Sequence, residues 1–134
     1  MVTSKKLGNQ FEKEFCEILN HRGAWCHNLT QNASGQPADV IAVKNNEAYL
    51  IDCKVCTNDR FPLSRIEENQ KLAMTAWEES GNNDCWFALK VSTGIYMIRF
   101  HTMLLALENG KSSLDLNHIM KMCPLHGWLQ GRGW

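Results

Sequence analysis

The feature that most constrains the fold is a pair of short apolar runs separated by a polar turn. The first run covers residues 40–43, and the second covers residues 49–51 with Val55 beyond them. Asn45 and Asn46 lie between the two runs. Short apolar runs that flank a turn predict an antiparallel hairpin, here one that is buried on both faces.

Three charged residues, Asp39, Asp52 and Lys54, lie where such a hairpin should have none. With a two-residue turn at the asparagines, Asp39 lies opposite Asp52, with β-carbons about 5 Å apart. Lys54 points to the same face as Asp52 because side chains alternate along a strand. Two close carboxylates repel unless a proton or a cation neutralises them, so the cluster predicts a site for a divalent metal and a nucleophilic water. A loop one residue longer would turn Asp39 to the other face.

The length of the chain indicates one domain over residues 1–134. No run approaches the roughly 18 apolar residues of a membrane span, and the first residues contain no apolar signal region. We therefore expect a cytoplasmic protein with six reduced cysteines. The net charge is zero, so nucleic-acid binding requires a local basic patch.

A first amphipathic helix is predicted over residues 4–22, with Thr3 or Ser4 as its cap and Gly23 at its end. Glu12 borders the buried stripe of this helix, a position that by itself favours a solvated acid. The apolar residues that recur at helical spacing are Leu7, Phe11, Phe15, Ile18 and Leu19.

A second helix is predicted from Ser64 to Ser80, with Ser64 and Glu67 as a capping box. Gln70 lies in its inward row, where an amide needs a hydrogen-bond partner such as a group near Lys54. The alternative is a glutamine at the edge of the row that reaches solvent. The inward row consists of Ile66, Gln70, Ala73 and Trp77.

The other predicted elements are an edge strand at residues 24–29, a second hairpin at 85–91 and 95–100, and a short helix at 103–107. For residues 112–134 we expect only a short strand or helix and a mobile end. The order of these elements predicts an α/β fold, a central mixed sheet flanked by helices.

The motifs Pro37-Ala38-Asp39 and Asp52-Cys53-Lys54 resemble those of the PD-(D/E)xK nuclease superfamily, which has the restriction-endonuclease-like fold. Asp52 replaces the commoner glutamate, and Ala38 is an extra residue before the aspartate. Features elsewhere in the chain are similar to Holliday junction resolvases. The resemblance covers a core at about residues 5–120, leaves a tail at 121–134 unassigned, and implies a bacterial, archaeal or phage-infected host cell. Gly8, Glu12 and the Ser34-Gly35 loop resemble the archaeal Hjc type, while residues 61–63 and Gln70 resemble the RecU type of bacteria and phages, without its stalk insertion.

The resemblance implies a metal-dependent phosphodiester hydrolase. Lys54 would orient the attacking water or stabilise the attacked phosphate, and Gln70 would position Lys54 or the water. The residues that would hold Mg²⁺, or Mn²⁺ as a substitute, are Asp39, Asp52, the carbonyl of Cys53 and, through water, Glu12.

The function that the resemblance implies is a Holliday junction resolvase that makes paired symmetric nicks in four-way DNA junctions, in recombination or phage DNA processing. We expect a homodimer, because two strands must be cut and each chain has one site. Its interface would be the tail around Trp128 and Trp134 or the exposed edge strand. The predicted DNA contacts are Lys5, Lys6, Ser34, Arg60 and Arg65.

Three alternatives remain. A nuclease of the same fold could act on a flap, a fork or linear duplex, and a silent member could only bind DNA, although Asp39, Asp52 and Lys54 argue against silence. A zinc-stabilised, non-catalytic DNA-binding module is the third. Its ligands would be Cys53, Cys56, Cys123 and His126. In a strand, however, Cys53 and Cys56 face oppositely, which favours buried thiols.

Overall fold

The computed structural model describes residues 3–29 and 38–134. The helices are α1 (Ser4–His21), α2 (Glu68–Glu79), α3 (Phe100–Glu108), α4 (Leu116–Met120) and α5 (Leu125–Gly131). The strands are β1 (Trp25–Asn28), β2 (Val40–Lys44), β3 (Glu47–Val55), β4 (Phe61–Pro62), β5 (Trp86–Val91), β6 (Gly94–Arg99), β7 (Ser113–Leu114) and β8 (Cys123–Pro124).

In the described part of the chain, six strands form a mixed sheet in the order β1-β2-β3-β5-β6-β8. β3 and β5 are parallel, whereas the other neighbours are antiparallel. Helices α1 and α5 pack on one face of the sheet, and α2, α3 and α4 pack on the other. The predicted fold class, a mixed sheet with helices on both sides, is therefore confirmed, and β1 is an edge strand as predicted.

The β2–β3 hairpin has the predicted two-residue turn and register. Asn45 and Asn46 have φ angles of 55° and 65°, as a type I′ turn requires. Lys44 pairs with Glu47, and the ladder runs to Val40 opposite Ile51. One further step along this register places Asp39 opposite Asp52, at the end of the ladder.

Helix α1 also matches its prediction. The Thr3 hydroxyl caps its first turn by accepting the backbone N–H of Lys6 at 3.1 Å. Gly23 follows the helix with a φ of 84°, the left-handed conformation that ends many helices. Phe11 and Phe15 are buried on the inward face of the helix.

The predicted start of α2 at Ser64 is wrong, because the helix begins at Glu68. Residues Leu63–Arg65 form a separate 3-10 turn, after which extended Ile66 turns its side chain into the core. The capping box accordingly joins Glu67 and Gln70, each side chain accepting a backbone N–H of the other. The helix buries Gln70 and Met74, and Met74 was absent from the predicted inward row.

The C-terminal region is ordered where a mobile end was expected. Trp134 is buried and packs edge-on against Trp128 and Tyr49, with ring centroids 5.6 and 5.5 Å apart. The carbonyl of Trp134 also accepts a hydrogen bond from Arg22 at 2.9 Å. Aromatic packing thus fixes the C-terminal region, whose sequence shows no clear periodicity. In the described ranges, no helix has the length and apolar character needed to cross a membrane.

Candidate active site

The two acids and the lysine of the hairpin meet at the end of β3. Asp52 is fully buried and Asp39 is 8% exposed. The Lys54 ammonium lies 3.1 Å from Oδ2 of Asp52. Oδ2 of Asp39 accepts the backbone N–H of Cys53 at 2.9 Å, which fixes the carboxylate against the backbone of β3. The structure thus brings together the three charges that the register predicted.

Gln70 reaches this cluster from α2. Its Nε2 donates to Oδ1 of Asp52 at 3.0 Å, while its Oε1 accepts the backbone N–H of Glu67 at 3.3 Å. The side chain is 5% exposed, so the alternative in which it reaches solvent is wrong. The partner that the structure gives this amide is Asp52 rather than Lys54. Because the capping box fixes the amide oxygen, the NH₂ group is directed at the carboxylate.

Burial changes the acid strength of two carboxyls in the cluster. Burial, followed by the charge of Asp39, raises the pKa of Asp52 well above its usual range, while Lys54 opposes the shift. Burial and then Asp39 likewise raise the pKa of Glu12 to about 7, against the opposing effect of Lys54. Both acids therefore hold a proton more tightly than they would in water. An acid whose pKa is raised beside another acid is a typical feature of functional sites.

The cluster borders a cleft with a volume of about 840 Å³, although the fully buried Asp52 is not part of the cleft lining. Glu12, Asp39 and Lys54 line it, and α1 forms one wall. Glu12, which helical position alone assigned to solvent, is half-buried in this wall. Three of the predicted DNA-contacting residues also line the cleft: Lys5, Arg60 and Arg65.

Other predicted residues lie elsewhere. Lys6 is exposed on α1 but is not part of the cleft lining. Ser34 and Pro37 lie outside the described residues.

Within residues 3–29 and 38–134, no three side chains of Asp, Glu, His or Cys are gathered closely enough to form a ready-made metal site. The side chains predicted to bind the metal are thus two adjacent carboxylates, with Glu12 on α1 lining the same cleft.

Comparisons with known proteins identify the family to which this architecture belongs. The family model described as archaeal Holliday junction resolvase (Hjc) matches residues 3–126. The chain belongs to this family. The membership confirms the predicted resemblance to the PD-(D/E)xK superfamily and the function that it implied, a Holliday junction resolving nuclease.

A solved structure agrees with this assignment at the level of the fold. It is that of Hjc from Archaeoglobus fulgidus, a Holliday junction resolvase from an archaeal hyperthermophile. The two chains superpose with a TM-score of 0.68 at 13% sequence identity, over 88% of this chain and 96% of that one. Comparison with curated proteins gives no significant match.

The positions of the cysteines in this Hjc family member contradict the zinc alternative. The Cys53 side chain packs in the core beneath α1, whereas Cys56 packs in the core on the other face of the sheet. The two thiols therefore cannot bind one ion together. Burial also raises the pKa of both thiols, which disfavours the thiolate that binds zinc. Only the backbone of Cys53 is placed at the site.

The sequence indicated Arg60 and Arg65 as site residues, but not the other residues of the segment after β3 that line the cleft. Thr57 and Asn58 line the cleft together with Arg60. Asn58 and the adjacent Asp59 both have positive φ angles, of 57° and 53°. The signal that would have indicated a left-handed turn is the Asn-Asp pair itself, because these residues tolerate that conformation better than most.

Proposed function

We propose that this chain is a metal-dependent endodeoxyribonuclease that cuts four-way DNA junctions at two symmetric phosphates, with its active site at the Asp52 end of β3. One observation carries the proposal: a fully buried Asp52 faces a second acid and a lysine that line a cleft together with basic residues. Such an arrangement is unfavourable for folding by itself, because it places two acids close together away from water.

The donor set suits a hard divalent cation. Oδ2 of Asp52 is buried and faces the Lys54 ammonium at 3.1 Å, so a cation bound there would share this oxygen with Lys54. Mg²⁺ and Mn²⁺ prefer carboxylate and carbonyl oxygens. A bound ion of this kind supplies a Lewis acid and lowers the pKa of a coordinated water. The proposed ligands are Asp39, Asp52, the carbonyl of Cys53 and, through water, Glu12.

The protein groups around this ion have separate proposed roles. Gln70 donates to Oδ1 of Asp52, which keeps the carboxylate from rotating and directs Oδ2 toward Lys54 and the proposed cation. Lys54, only 14% exposed, is placed to orient the attacking water or to stabilise charge on the attacked phosphate. Glu12, which lines the same cleft, is proposed to reach the ion through water.

The proposed DNA contacts follow the walls of the cleft. Lys5 on α1 and the arginines Arg60 and Arg65 on the segment after β3 all line it. A duplex arm or single strand held between them would place a phosphate over Asp39 and Lys54. Lys6 and Ser34 remain in the proposal as flanking contacts. Because the net charge of the chain is zero, this local cationic rim has to provide the attraction for the phosphates.

We also propose that the active form is a homodimer. A four-way junction needs two cuts and each chain has one site, so a twofold pair of chains matches a twofold substrate. Trp128 and Trp134 are buried in the fold, which removes the tail from the two candidate interfaces. The edge strand β1 remains, and its Trp25 is 60% exposed and stacks on His27. A sheet edge and an exposed aromatic residue are typical of interaction surfaces.

A cleavage panel tests this function. A mobile four-way junction, a replication fork, a flap and a linear duplex of the same sequence would be incubated with the protein and Mg²⁺, Mn²⁺, Ca²⁺ or EDTA. We expect cleavage of the junction with Mg²⁺ or Mn²⁺, at symmetric positions in two opposing strands, and none with EDTA. Equal cutting of all four substrates would support the general nuclease instead. Cleavage in EDTA would contradict the proposed metal dependence.

A further inference from the structure

The segment that follows β3 holds an unusual backbone conformation at the cleft. Asn58 and Asp59 are consecutive residues other than glycine in the left-handed region. This conformation crowds the β-carbon against the backbone, so two such residues in succession persist only where other contacts fix them. Arg60, which lines the cleft, is the next residue. The conformation of the pair therefore determines where the Arg60 side chain begins.

Two contacts from other parts of the fold fix this segment. Oδ1 of Asp59 accepts the backbone N–H of Ser92 at 2.7 Å, and Oδ2 accepts the Ser92 hydroxyl at 2.5 Å. Ser92 lies in the tight turn between β5 and β6. Separately, the Arg60 side chain donates its Nε–H to the hydroxyl of Ser113, in β7, at 2.9 Å. The backbone and the guanidinium are thus each anchored to a different element.

The second contact leaves the binding edge of the arginine available. A guanidinium has five N–H donors, and the bond to Ser113 uses the one on Nε. The two terminal NH₂ groups form the fork that binds phosphate oxygens in a bidentate manner. An arginine held through Nε has lost much of its rotamer freedom before DNA arrives, so less entropy is lost on binding.

We propose that Asp59 and Ser113 are positioning residues that hold the Arg60 guanidinium ready to bind one phosphate of the DNA strand in the cleft. The proposal rests on the function proposed above and adds residues that the sequence pattern did not indicate. Asp59 does not touch DNA in this arrangement, since both its oxygens face Ser92. The same two hydrogen bonds hold the pKa of Asp59 below its usual range, so the carboxylate stays charged and keeps accepting them.

The sign of one effect separates positioning from simple electrostatics. Removing an acid beside a phosphate path should strengthen DNA binding if charge alone matters, because a repulsion is lost. Removing a positioning acid should weaken binding, because Arg60 loses its orientation. Asp59→Ala therefore gives opposite results under the two descriptions. Asp84→Ala is the matched control, since Asp84 is an exposed acid that is not part of the cleft lining and pairs with Arg99.

The experiment measures the Kd of the wild type and the variants for a four-way junction in EDTA, and KM and kcat with Mg²⁺. We expect Arg60→Ala to weaken binding about tenfold, the usual result of losing a charge-assisted contact. Asp59→Ala and Ser113→Ala should each weaken it about threefold through KM, with kcat little changed, while Asp84→Ala should not weaken it. Ser113→Thr, which keeps the hydroxyl, should restore binding.

A double-mutant cycle tests whether Asp59 acts through Arg60. If it does, Asp59→Ala/Arg60→Ala should bind no more weakly than Arg60→Ala alone. Additive losses, or unchanged or tighter binding by Asp59→Ala, would overturn the inference. Thermal unfolding of each variant shows whether it is folded, and Ser113→Ala provides a second route if Asp59→Ala is not. Failure of the wild type to bind or cut junctions would instead contradict the proposed function.

Discussion

The two ends of β3 differ in what they contribute to the molecule. At its beginning, Tyr49 packs edge-on against Trp128 and Trp134, with centroids 5.4 and 5.5 Å away. At its end, Asp52 and Lys54 form a buried ion pair beside Asp39. The aromatic end buries large apolar surfaces, which favours folding. The charged end buries groups that water would solvate better, which opposes it.

Each end also accommodates a cation in its own way. The Arg132 guanidinium lies over the Trp128 ring at 4.0 Å and over the Trp86 and Tyr49 rings at 4.9 and 5.0 Å. Ring faces attract the cation without requiring a second buried charge. Lys54, in contrast, is held by a buried carboxylate whose pKa is raised by burial and by Asp39. One strand can thus stabilise the fold at one end and keep a reactive, poorly neutralised cluster at the other.

The largest expected effect is on cleavage at the charged end. Asp39→Asn should lower kcat on the order of a thousandfold or more, because it removes a carboxylate that we propose as a metal ligand, worth several kcal/mol in the transition state. Junction binding in EDTA should be retained or strengthened, since a repulsive charge is lost. The free energy of unfolding should not fall, because the amide oxygen of the variant side chain would still accept the Cys53 N–H. The repulsion between the two carboxylates at positions 39 and 52 would also be lost.

Single-turnover cleavage with Mg²⁺ and a binding titration in EDTA check this prediction. Asp84→Asn, at an exposed acid, is the control and should cut like the wild type. A fully active Asp39→Asn variant would show that the charged end of β3 is not the site of cleavage.

The next largest effect is on stability at the aromatic end. Trp128 is 1% exposed and contacts three other aromatic side chains, so Trp128→Ala should lower the free energy of unfolding by about 3–5 kcal/mol. Leu72→Ala is the control: its side chain is mostly exposed, and the expected loss is below about 1 kcal/mol. Urea unfolding measures both. Trp128→Ala protein that stays folded should keep the wild-type kcat. A loss of kcat without a loss of stability would contradict the assignment of stability to the aromatic end and catalysis to the charged end.

How far the sequence predicted each end follows from the range of the interactions. The hairpin register, the neighbouring acids and α1 depend on local rules, namely turn type, alternation and helical period, and they were predicted. The predicted start of α2 at Ser64 was wrong, because extended Ile66 packs in the core and this tertiary contact outweighs the local capping pattern that begins at Ser64. The aromatic end was not predicted, since residues 49 and 134 meet only through tertiary packing without periodicity.

Gln70 links the two kinds of contribution, since it is buried like a core residue yet binds a charge. Gln70→Ala should lower kcat about tenfold, because Asp52 would lose the bond that orients it. It should also lower stability by about 1–2 kcal/mol, as a buried hydrogen bond to a charged group and half of a capping box are lost. Gln130→Ala, at an exposed glutamine of α5, is the control. Cleavage at the wild-type rate with a loss of stability would assign Gln70 to the fold alone.

The smallest expected effect is a pH dependence of stability at Glu12, on the wall of the charged end. The pKa of Glu12 is raised from 4.5 to about 7 in the folded protein, so the folded state binds its proton more tightly than the unfolded state does. The contribution of this group to stability is therefore fully present below pH 4.5 and is lost as the pH rises through 7.

Glu12→Gln has no such charge to bury. In EDTA, the variant and the wild type should be similarly stable at pH 5, and the variant should be the more stable at pH 8. Glu17→Gln, at an exposed acid of the same helix, provides the difference expected from a change of surface charge alone. The effect should be modest because Glu12 is only half-buried and solvent screens its charge. Urea unfolding at the two pH values measures it, and an advantage of Glu12→Gln that is larger at pH 5 than at pH 8 would show that burial of this acid is not what opposes folding at the charged end.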